Sequence, residues 1–369
     1  MSDSPSGSPS VHPRIVSTAT AHPPHHYSQA AILAFAREQL LGAGWQRRPE
    51  AAQRARQMER IFTTSRVDER QVVIDIDHYY ARPRTTGERM ETYGTAAYAL
   101  GREALAHCLA DAGDGAAGDI TDLSVVSCTG YAAPGLDILL ARDLGLRPDA
   151  RRVVVGHMGC FGALVGLRQA LATLRAYPQA RMALLSVELS SLHFASTLAP
   201  DALAPLALFG DAAAAVMLAN DPTARGPELV DTYCVADFAS ADQMTWTIAD
   251  AGFVMGLSPR VPITLRRQVR GAVERLLAPH GLGIHDITHW LVHPGGPSIL
   301  EAIGTQLELC EEQLAASWQV LREHGNCSST TVLLVLDALL RAGRTQAGEW
   351  GVMMAFGPGL TLETCLLRF

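Results

Sequence analysis

A strand, a glycine-rich turn and a helix follow one another over residues 152–176, and this stretch constrains the fold most. The β-branched run at residues 153–155 predicts a buried strand. Leucines at positions 164, 167, 171 and 174 then recur at steps of three and four, which predicts a helix. Cys160 lies in the turn between the two elements. Such a unit is typical of layered α/β proteins.

The position of Cys160 suits a reactive thiol as well as a packed one. A thiol at the start of a helix faces the positive end of the helix dipole, which favours the thiolate. Glycines at positions 156, 159 and 162 let a substrate or another backbone approach the sulfur closely. Because free cysteines are usually buried and inert, a structural cysteine is the alternative that this stretch alone leaves open.

Length and composition exclude several classes of protein. The chain has 369 residues, 48% of them hydrophobic and 18% charged, which indicates a soluble globular protein large enough for two packed units. A net charge of −7 with scattered basic residues argues against a nucleic-acid-binding face. Seven dispersed cysteines without a CxxC pair predict neither a zinc ribbon nor a disulfide framework, and so a reducing cytoplasm. We expect no membrane span.

Strands and helices alternate along the rest of the chain, which predicts α/β layers with buried central strands. Residues 1–12 are polar, so we expect a disordered tail and not a signal peptide. The turn-rich stretch at residues 220–227 predicts a boundary. We therefore expect two halves, residues 13–225 and 226–369, with a similar order of elements that suggests an internal duplication.

Two further segments present side chains suited to acyl chemistry. A strand leads to His293, which opens a His-Pro-Gly-Gly-Pro turn, and Asn326 precedes a strongly apolar helix. For Asn326 in isolation, a helix N-cap is the alternative. The histidines at positions 22, 25 and 26 stand among prolines without a carboxylate or cysteine, which favours a loop over a metal site.

Cys160, His293 and Asn326 form a chemically coherent set. A thiolate is a good acyl acceptor near neutral pH, and a neighbouring histidine holds it as an ion pair. A histidine and an asparagine amide both donate to one developing oxyanion. An oxyanion hole of this kind suits an enolate as well as a tetrahedral intermediate. These residues alone therefore leave both hydrolysis and carbon–carbon bond formation as alternatives.

The segments Gly-His-Met-Gly-Cys-Phe-Gly at 156–162, Val-His-Pro-Gly-Gly-Pro at 292–297, Gly-Asn-Cys-Ser-Ser at 325–329 and Phe-Gly-Pro-Gly at 356–359 resemble the type III polyketide synthases. This chalcone synthase-like family belongs to the thiolase-fold ketosynthases, and the match runs from residue 14 to the end of the chain. The resemblance implies an α/β fold with thiolase-like duplicated βαβαβ units in five α-β-α-β-α layers. A ketoacyl-ACP synthase III would share the fold and the Cys, His, Asn set, but the His-Pro-Gly-Gly-Pro turn argues against it.

The resemblance also implies a reaction, catalysed by an acyltransferase. Cys160 resembles the nucleophile that takes a starter acyl group from its CoA thioester, and His293 would maintain the thiolate. His293 and Asn326 would hold the carbonyl of malonyl-CoA as it loses CO2, and the carbanion would extend the chain on Cys160. The family implies acyl-CoA substrates, a homodimer, and neither a metal nor a redox cofactor.

Two gate positions follow from the same resemblance. Phe209 resembles the gatekeeper between the CoA tunnel and the inner cavity, with core packing as the alternative for a phenylalanine beside an apolar run. Counting from Gly252 places the second gate at Met255, although Phe253 lies two residues earlier. The identity of this gate therefore stays open.

The remaining predicted substrate contacts follow from the family too. Arg60 resembles a residue that meets the CoA phosphates, and Ser298 falls where the backbone contacts CoA. The predicted walls of the cavity are Cys128, Thr129, Met158, Ser190, His193 and Trp246.

The starter is the least constrained part of the prediction. Residues 19–29 look more like bacterial members that make long-chain alkylresorcinols or alkylpyrones, so we expect a fatty acyl starter. A short acyl or malonyl starter is the alternative, as is a thiolase-fold acyltransferase that never extends a chain. The number of extensions and the mode of ring closure are not fixed by the sequence.

Overall fold

A computed structural model of the chain describes residues 12–113, 115–194 and 200–369. Of the tail predicted at residues 1–12, all but the last residue lies outside these ranges. The strands are β1 (Arg14–Ala21), β2 (His25–Ser28), β3 (Glu69–Val72), β4 (Asp122–Ser127), β5 (Arg151–Gly156), β6 (Arg181–Leu189), β7 (Asp211–Ala219), β8 (Glu228–Ala236), β9 (Met244–Ala249), β10 (Gly252–Leu257), β11 (Ile287–Val292), β12 (Trp350–Gly357) and β13 (Thr361–Arg368). The helices are α1 (Gln29–Leu41), α2 (Pro49–Thr64), α3 (Ile76–Tyr79), α4 (Thr86–Asp111), α5 (Ala116–Asp119), α6 (Leu136–Asp143), α7 (Gly162–Ala176), α8 (Pro200–Leu208), α9 (Val261–Leu277), α10 (Pro297–Leu307), α11 (Ala315–His324) and α12 (Thr331–Arg341).

Local signals set where several of these elements begin. The side chain of Ser28 accepts a hydrogen bond from the N–H of Ala31 and caps α1. Thr85 and Glu88 form a reciprocal capping box at the start of α4, the longest helix. Strand β7, with the sequence Asp-Ala-Ala-Ala-Ala-Val-Met-Leu-Ala, is buried along its whole length, because small side chains let helices approach both of its faces.

The main sheet carries the same arrangement of strands twice. Its order is β11-β12-β13-β8-β1-β7-β6-β4-β5, and β1 and β8 join the two parts. In the first part β4 is parallel to β6, which is antiparallel to β7, which is antiparallel to β1. In the second part β11, β12, β13 and β8 repeat these relations in the same order. The duplication is thus visible in the topology, whereas the division between residues 225 and 226 stays a prediction.

Helices cover and separate the two parts of the sheet. Helix α4 packs on β1, β6 and β7, and α9 packs on β8 and β13. Helices α7 and α12 contact strands of both parts and lie between them. Three apolar cores correspond to these interfaces, two outer ones and a central one around α7 and α12. This gives the thiolase-like α-β-α-β-α layering that the sequence predicts.

The prediction of a buried strand at residues 153–155 holds for Val155 but is wrong for the other two valines in the single chain. The side chains of Val153 and Val154 are 40% and 58% exposed. The physical reason is that β5 is an edge strand, hydrogen-bonded to β4 on one side only. Within the described ranges, no helix is long and apolar enough to cross a bilayer.

Candidate active site

Cys160 lies in a single 3-10 turn, Gly159–Phe161, that connects β5 to α7 at the centre of the molecule. Gly159 has a φ of 76°, and a Cβ on it would lie 2.5 Å from Cδ of Pro358. A side chain at position 159 would therefore collide with the turn between β12 and β13. This close packing explains why a glycine precedes Cys160 and why it meets the Gly-Pro-Gly turn at residues 357–359.

Asn326 approaches the same place from the other half of the chain. It follows α11 and precedes a second 3-10 turn, Ser328–Thr330, which leads into α12. Its Oδ1 accepts a hydrogen bond from the N–H of Ser328 at 2.9 Å, and its Nδ2 donates to the carbonyl of Gly295 at 3.3 Å. Ser328 in turn lies beside the cysteine, with 3.9 Å between its Oγ and Sγ of Cys160.

His293 follows β11 directly and is held by its main chain. Its N–H donates to the carbonyl of Met354 at 2.8 Å, and its carbonyl accepts from the N–H of Gly295 at 2.9 Å. The ring is buried, and its Nδ1 has no hydrogen-bond partner among the described residues. Among the described residues, no hydrogen bond of this nitrogen therefore fixes the tautomer of the ring.

One cavity of about 580 Å³ brings the three residues together. Cys160, His293 and Asn326 all line it, and Ser298 lines it further along. Its remaining wall is mostly apolar and includes Leu208, Val261, Pro262, Leu265, Ile299 and Phe356. We call it the main cavity, and its volume falls in the range of small-molecule sites.

Two much smaller cavities lie beyond it. One, of about 30 Å³, is lined by Cys128, Thr129, Cys160, Ser190 and Trp246, and we call it the Cys128 cavity. The other, of about 40 Å³, is lined by Ser190, His193, Trp246 and Phe253, and we call it the His193 cavity. Phe209 and Met255 line all three cavities and so stand between them.

Hydrogen bonds and ring packing keep the inner cavities small. His193 accepts at Nδ1 from the N–H of Phe253 at 3.0 Å, so its proton is on Nε2, which donates to the carbonyl of Thr129 at 2.7 Å. The His193 and Phe253 rings stack with centroids 4.5 Å apart. Nε1 of Trp246 donates to the carbonyl of Cys128 at 2.7 Å. The β9–β10 hairpin is thereby fixed to the loop that follows β4.

Burial disfavours charge on either member of the candidate pair. It raises the pKa of the Cys160 thiol to about 12, despite hydrogen bonds from Ser328 and Asn326 that favour the thiolate. It lowers the pKa of His293 to about 3. The effect of burial on the pKa of Cys160 is therefore larger than the effect of the helix dipole at the start of α7. A cation beside the sulfur would favour the thiolate.

Several predicted contacts fall elsewhere. The prediction that Met158 lines the cavity is wrong for the single chain, because its side chain is 41% exposed and lines none of the three cavities. It follows the edge strand β5, which explains its place at the surface. Arg60 is exposed on α2 and lines none of these cavities either, so its contact with CoA stays a prediction. Phe253 reaches only the His193 cavity, and Met255 is the residue that lies with Phe209.

The sequence analysis missed two polar residues near the cavities, Ser328 beside Cys160 and Glu188 beside Cys128 and Thr129. Ser328 contacts Cys160, and the fully buried carboxylate of Glu188 accepts hydrogen bonds from the N–H of Cys128 and from Thr129 Oγ1 at 2.9 and 2.8 Å. Burial raises the pKa of Glu188. One signal was available for Glu188, since it is the only ionisable residue within the apolar part of β6.

Comparison with known proteins agrees with this geometry. Residues 46–222 match "Chalcone and stilbene synthases, N-terminal domain" and residues 236–369 match the C-terminal domain of the same family. The chain is 36% identical to 1,3,6,8-tetrahydroxynaphthalene synthase of Streptomyces peucetius subsp. caesius, over 96% of this chain and 93% of the relative. It is 33% identical to type III polyketide synthase C of Arabidopsis thaliana, over 79% of each chain. The crystal structure of PKS-I from the brown alga Ectocarpus siliculosus superposes with a TM-score of 0.88 at 29% identity, covering 97% of this chain and 98% of that one.

The buried state of His193 predicts a pH-dependent contribution to stability. Burial lowers its pKa from 6.5 to about 4, so between these pH values the unfolded chain binds a proton that the folded chain does not. This contribution is complete above pH 6.5 and is lost as the pH falls, by about 1.4 kcal/mol per unit. We expect His193→Gln to be less stable than the wild type at pH 7.5, and the difference to shrink by roughly 2 kcal/mol at pH 5.

Guanidinium unfolding of both proteins at the two pH values measures this difference. Phe253→Leu is the matched control, because it removes the ring that stacks on His193 without removing a titrating group. Its difference from the wild type should be nearly the same at both pH values. A His193→Gln difference that is equally independent of pH would contradict the prediction.

Proposed function

Because the chain belongs to the chalcone and stilbene synthase family of type III polyketide synthases, we propose that it extends an acyl group on Cys160 by repeated condensation with malonyl-CoA. The observation that carries this proposal is that Cys160, His293 and Asn326 line one cavity of about 580 Å³. Phe209 and Met255 then act as the two gates between this cavity and the inner ones. Ser298 contacts the CoA arm along the main cavity.

The first step loads the starter. His293 takes the proton from Cys160 as the acyl-CoA arrives, which forms a thiolate and an imidazolium together and leaves the net charge of the pair unchanged. The thiolate attacks the thioester carbonyl, a new C–S bond to Cys160 forms, and the C–S bond to CoA breaks. The CoA thiolate leaves with the proton from His293. Transfer within the pair suits this site, because burial disfavours either charge alone.

The second step makes the carbon–carbon bond. Malonyl-CoA loses CO2, and the electron pair of the broken bond becomes an enolate whose oxygen accepts hydrogen bonds from His293 and Asn326. The enolate carbon attacks the acyl group on Cys160, the new C–C bond forms, and the C–S bond breaks with its electron pair on the Cys160 thiolate. In the next round this thiolate attacks the lengthened CoA thioester, and the departing CoA thiolate takes a proton from water. The Asn326 amide is oriented for this role, since its Oδ1 is held by the N–H of Ser328.

A short acyl or malonyl starter agrees with the inner cavities better than a fatty acyl starter. A cavity needs about 10–15 Å³ for one water, so volumes of about 30 and 40 Å³ hold only a few waters. Trp246 and His193 fill the space that a long alkyl chain would occupy. The relative from Streptomyces is named for a product without an alkyl chain, which supports the same choice.

A homodimer is part of the proposal. The edge strand β5 has unpaired main-chain groups on its outer side, and Val153, Val154 and Met158 expose apolar surface on or just after this strand. A second copy paired edge to edge would cover both the unpaired main-chain groups and the apolar side chains. A dimer across β5 also explains why valines and a methionine are placed there.

The central test is product analysis by mass spectrometry. We expect purified protein, malonyl-CoA and acetyl-CoA to give products that grow by ketide units, with release of CO2. Cys160→Ala should abolish ketide formation, because no acyl group is then held covalently. Ser191→Ala, which alters another buried polar residue of the same half, is the control and should retain it. Free acid without CO2 release would contradict the proposal and indicate a thiolase-fold hydrolase.

A second prediction tests the size of the starter. We expect Trp246→Ala to raise kcat/KM for octanoyl-CoA relative to acetyl-CoA at least tenfold, because loss of the indole joins the two inner cavities. Phe238→Ala, which removes an aromatic ring from the surface, should leave the ratio unchanged. A wild-type protein that already prefers octanoyl-CoA would restore the fatty acyl hypothesis.

A third prediction concerns the dimer. We expect Val154→Asp to give a monomer in sedimentation velocity at micromolar concentration, because it buries a carboxylate at the edge-to-edge contact. Ile263→Asp, at an exposed position on α9, should sediment like the wild type. A wild-type monomer, or a dimeric Val154→Asp variant, would rule out this interface.

A further inference from the structure

Arg70 is the largest fully buried side chain described in the structure, and it lies directly behind the predicted gate. Its guanidinium donates to main-chain carbonyls, from Nη1 to Leu206 at 2.9 Å and to Phe209 at 2.8 Å, and from Nη2 to Ala207 at 2.9 Å. A further hydrogen bond goes to Oε1 of Gln29. A buried arginine is costly, so its retention at this point needs a reason.

These carbonyls belong to the end of α8. The last carbonyls of a helix lack partners within the helix, and a cation there also complements the helix dipole. Arg70 satisfies those of residues 206, 207 and 209, while the carbonyl of Leu208 accepts from the N–H of Asn326 at 2.8 Å. The N–H of Gly210 donates to the carbonyl of Asn326 at 3.1 Å. One junction therefore fixes the main chain of both Phe209 and Asn326.

We propose that Arg70 is a positioning residue that holds the gate Phe209 and the amide-bearing Asn326 in a fixed relation across the main cavity. This inference rests on the proposed function, because it gives the two residues their roles in condensation. Arg70 lines none of the three cavities, so its proposed action is only through the end of α8. Its position on β3 places it behind the cavity wall.

The chemistry of the side chain fits this role. A guanidinium presents five donors in a planar fork, so one group can reach three carbonyls that point in different directions. A lysine has a single ammonium centre and lacks this reach. Burial lowers the pKa of Arg70 to about 9, so the group stays charged at neutral pH. Nε2 of Gln29 donates to the carbonyl of Ala207 at 2.8 Å and supports the same junction.

The consequence is a link between decarboxylation and condensation. After CO2 leaves malonyl-CoA, the enolate carbon either attacks the acyl group on Cys160 or takes a proton to give acetyl-CoA. Attack requires that Asn326 hold the enolate oxygen while Phe209 confines the reacting carbon near the sulfur. Displacing this junction by a fraction of an ångström favours protonation, since reaction between positioned groups is steeply sensitive to distance.

The test supplies Arg70→Gln with isotopically labelled malonyl-CoA and unlabelled acetyl-CoA, and measures the ratio of labelled acetyl-CoA formed to ketide product. This ratio reports only on folded, active molecules, so a loss of stability alone does not move it. We expect it to rise at least fivefold. Arg270→Gln is the matched control, because Arg270 also donates to a carbonyl near the end of a helix, Gln306 at 3.0 and 2.8 Å, and lines none of the three cavities. Its ratio should stay within twofold of the wild type.

A second variant covers the case in which Arg70→Gln does not fold. Gln29→Met leaves the arginine in place but removes its side-chain partner and the second donor to Ala207, and we expect at least a twofold rise. An unchanged ratio in whichever variant is folded would overturn the positioning role. A wild-type protein that makes no ketide product would instead overturn the proposed function, so the two failures are distinct.

Discussion

Insertion of α7 and α12 between the two parts of the sheet is the constraint on which the site depends. Both helices start with a 3-10 turn, and the two turns pack against each other at the centre of the molecule. Cys160 lies in the first turn, and Asn326 stands two residues before the second. The two turns occupy corresponding places in the duplicated halves, just as β4 and β11 correspond and are followed directly by Cys128 and His293. A single packing arrangement thus brings together four polar side chains from distant parts of the chain.

The same burial decides what chemistry the site supports. Layers on both sides remove water from Cys160 and His293, which raises the pKa of the thiol and lowers that of the imidazole. Because burial disfavours either charge alone, the proposed proton transfer from Cys160 to His293 would form both charges together. In the proposed condensation, the amide of Asn326 would donate to the enolate oxygen.

Much of this could be predicted from the sequence, because it depends on local signals. The leucine spacing after Cys160 places α7, and turn glycines mark the ends of the strands that carry Cys160 and His293. Burial of a whole strand is a different matter. Residues 153–155 have the composition of a central strand, but β5 has a neighbouring strand on one side only. The pattern of apolar residues along a strand does not reveal its place in the order of the sheet. The error for Met158 has the same cause, since it follows that strand.

Long-range contacts explain the other gaps. Arg70 lies in a short strand rich in charged residues, and only the fold shows that it reaches the end of α8, more than a hundred residues later. The expected fatty acyl starter came from residues 19–29, yet none of these residues lines the main or inner cavities. The space beyond Cys160 is instead set by Trp246 and His193, through hydrogen bonds to the carbonyls of Cys128 and Thr129. The proposal of a short starter therefore rests on how the β9–β10 hairpin docks on the loop after β4, and a resemblance confined to the first strands carries little information about that contact.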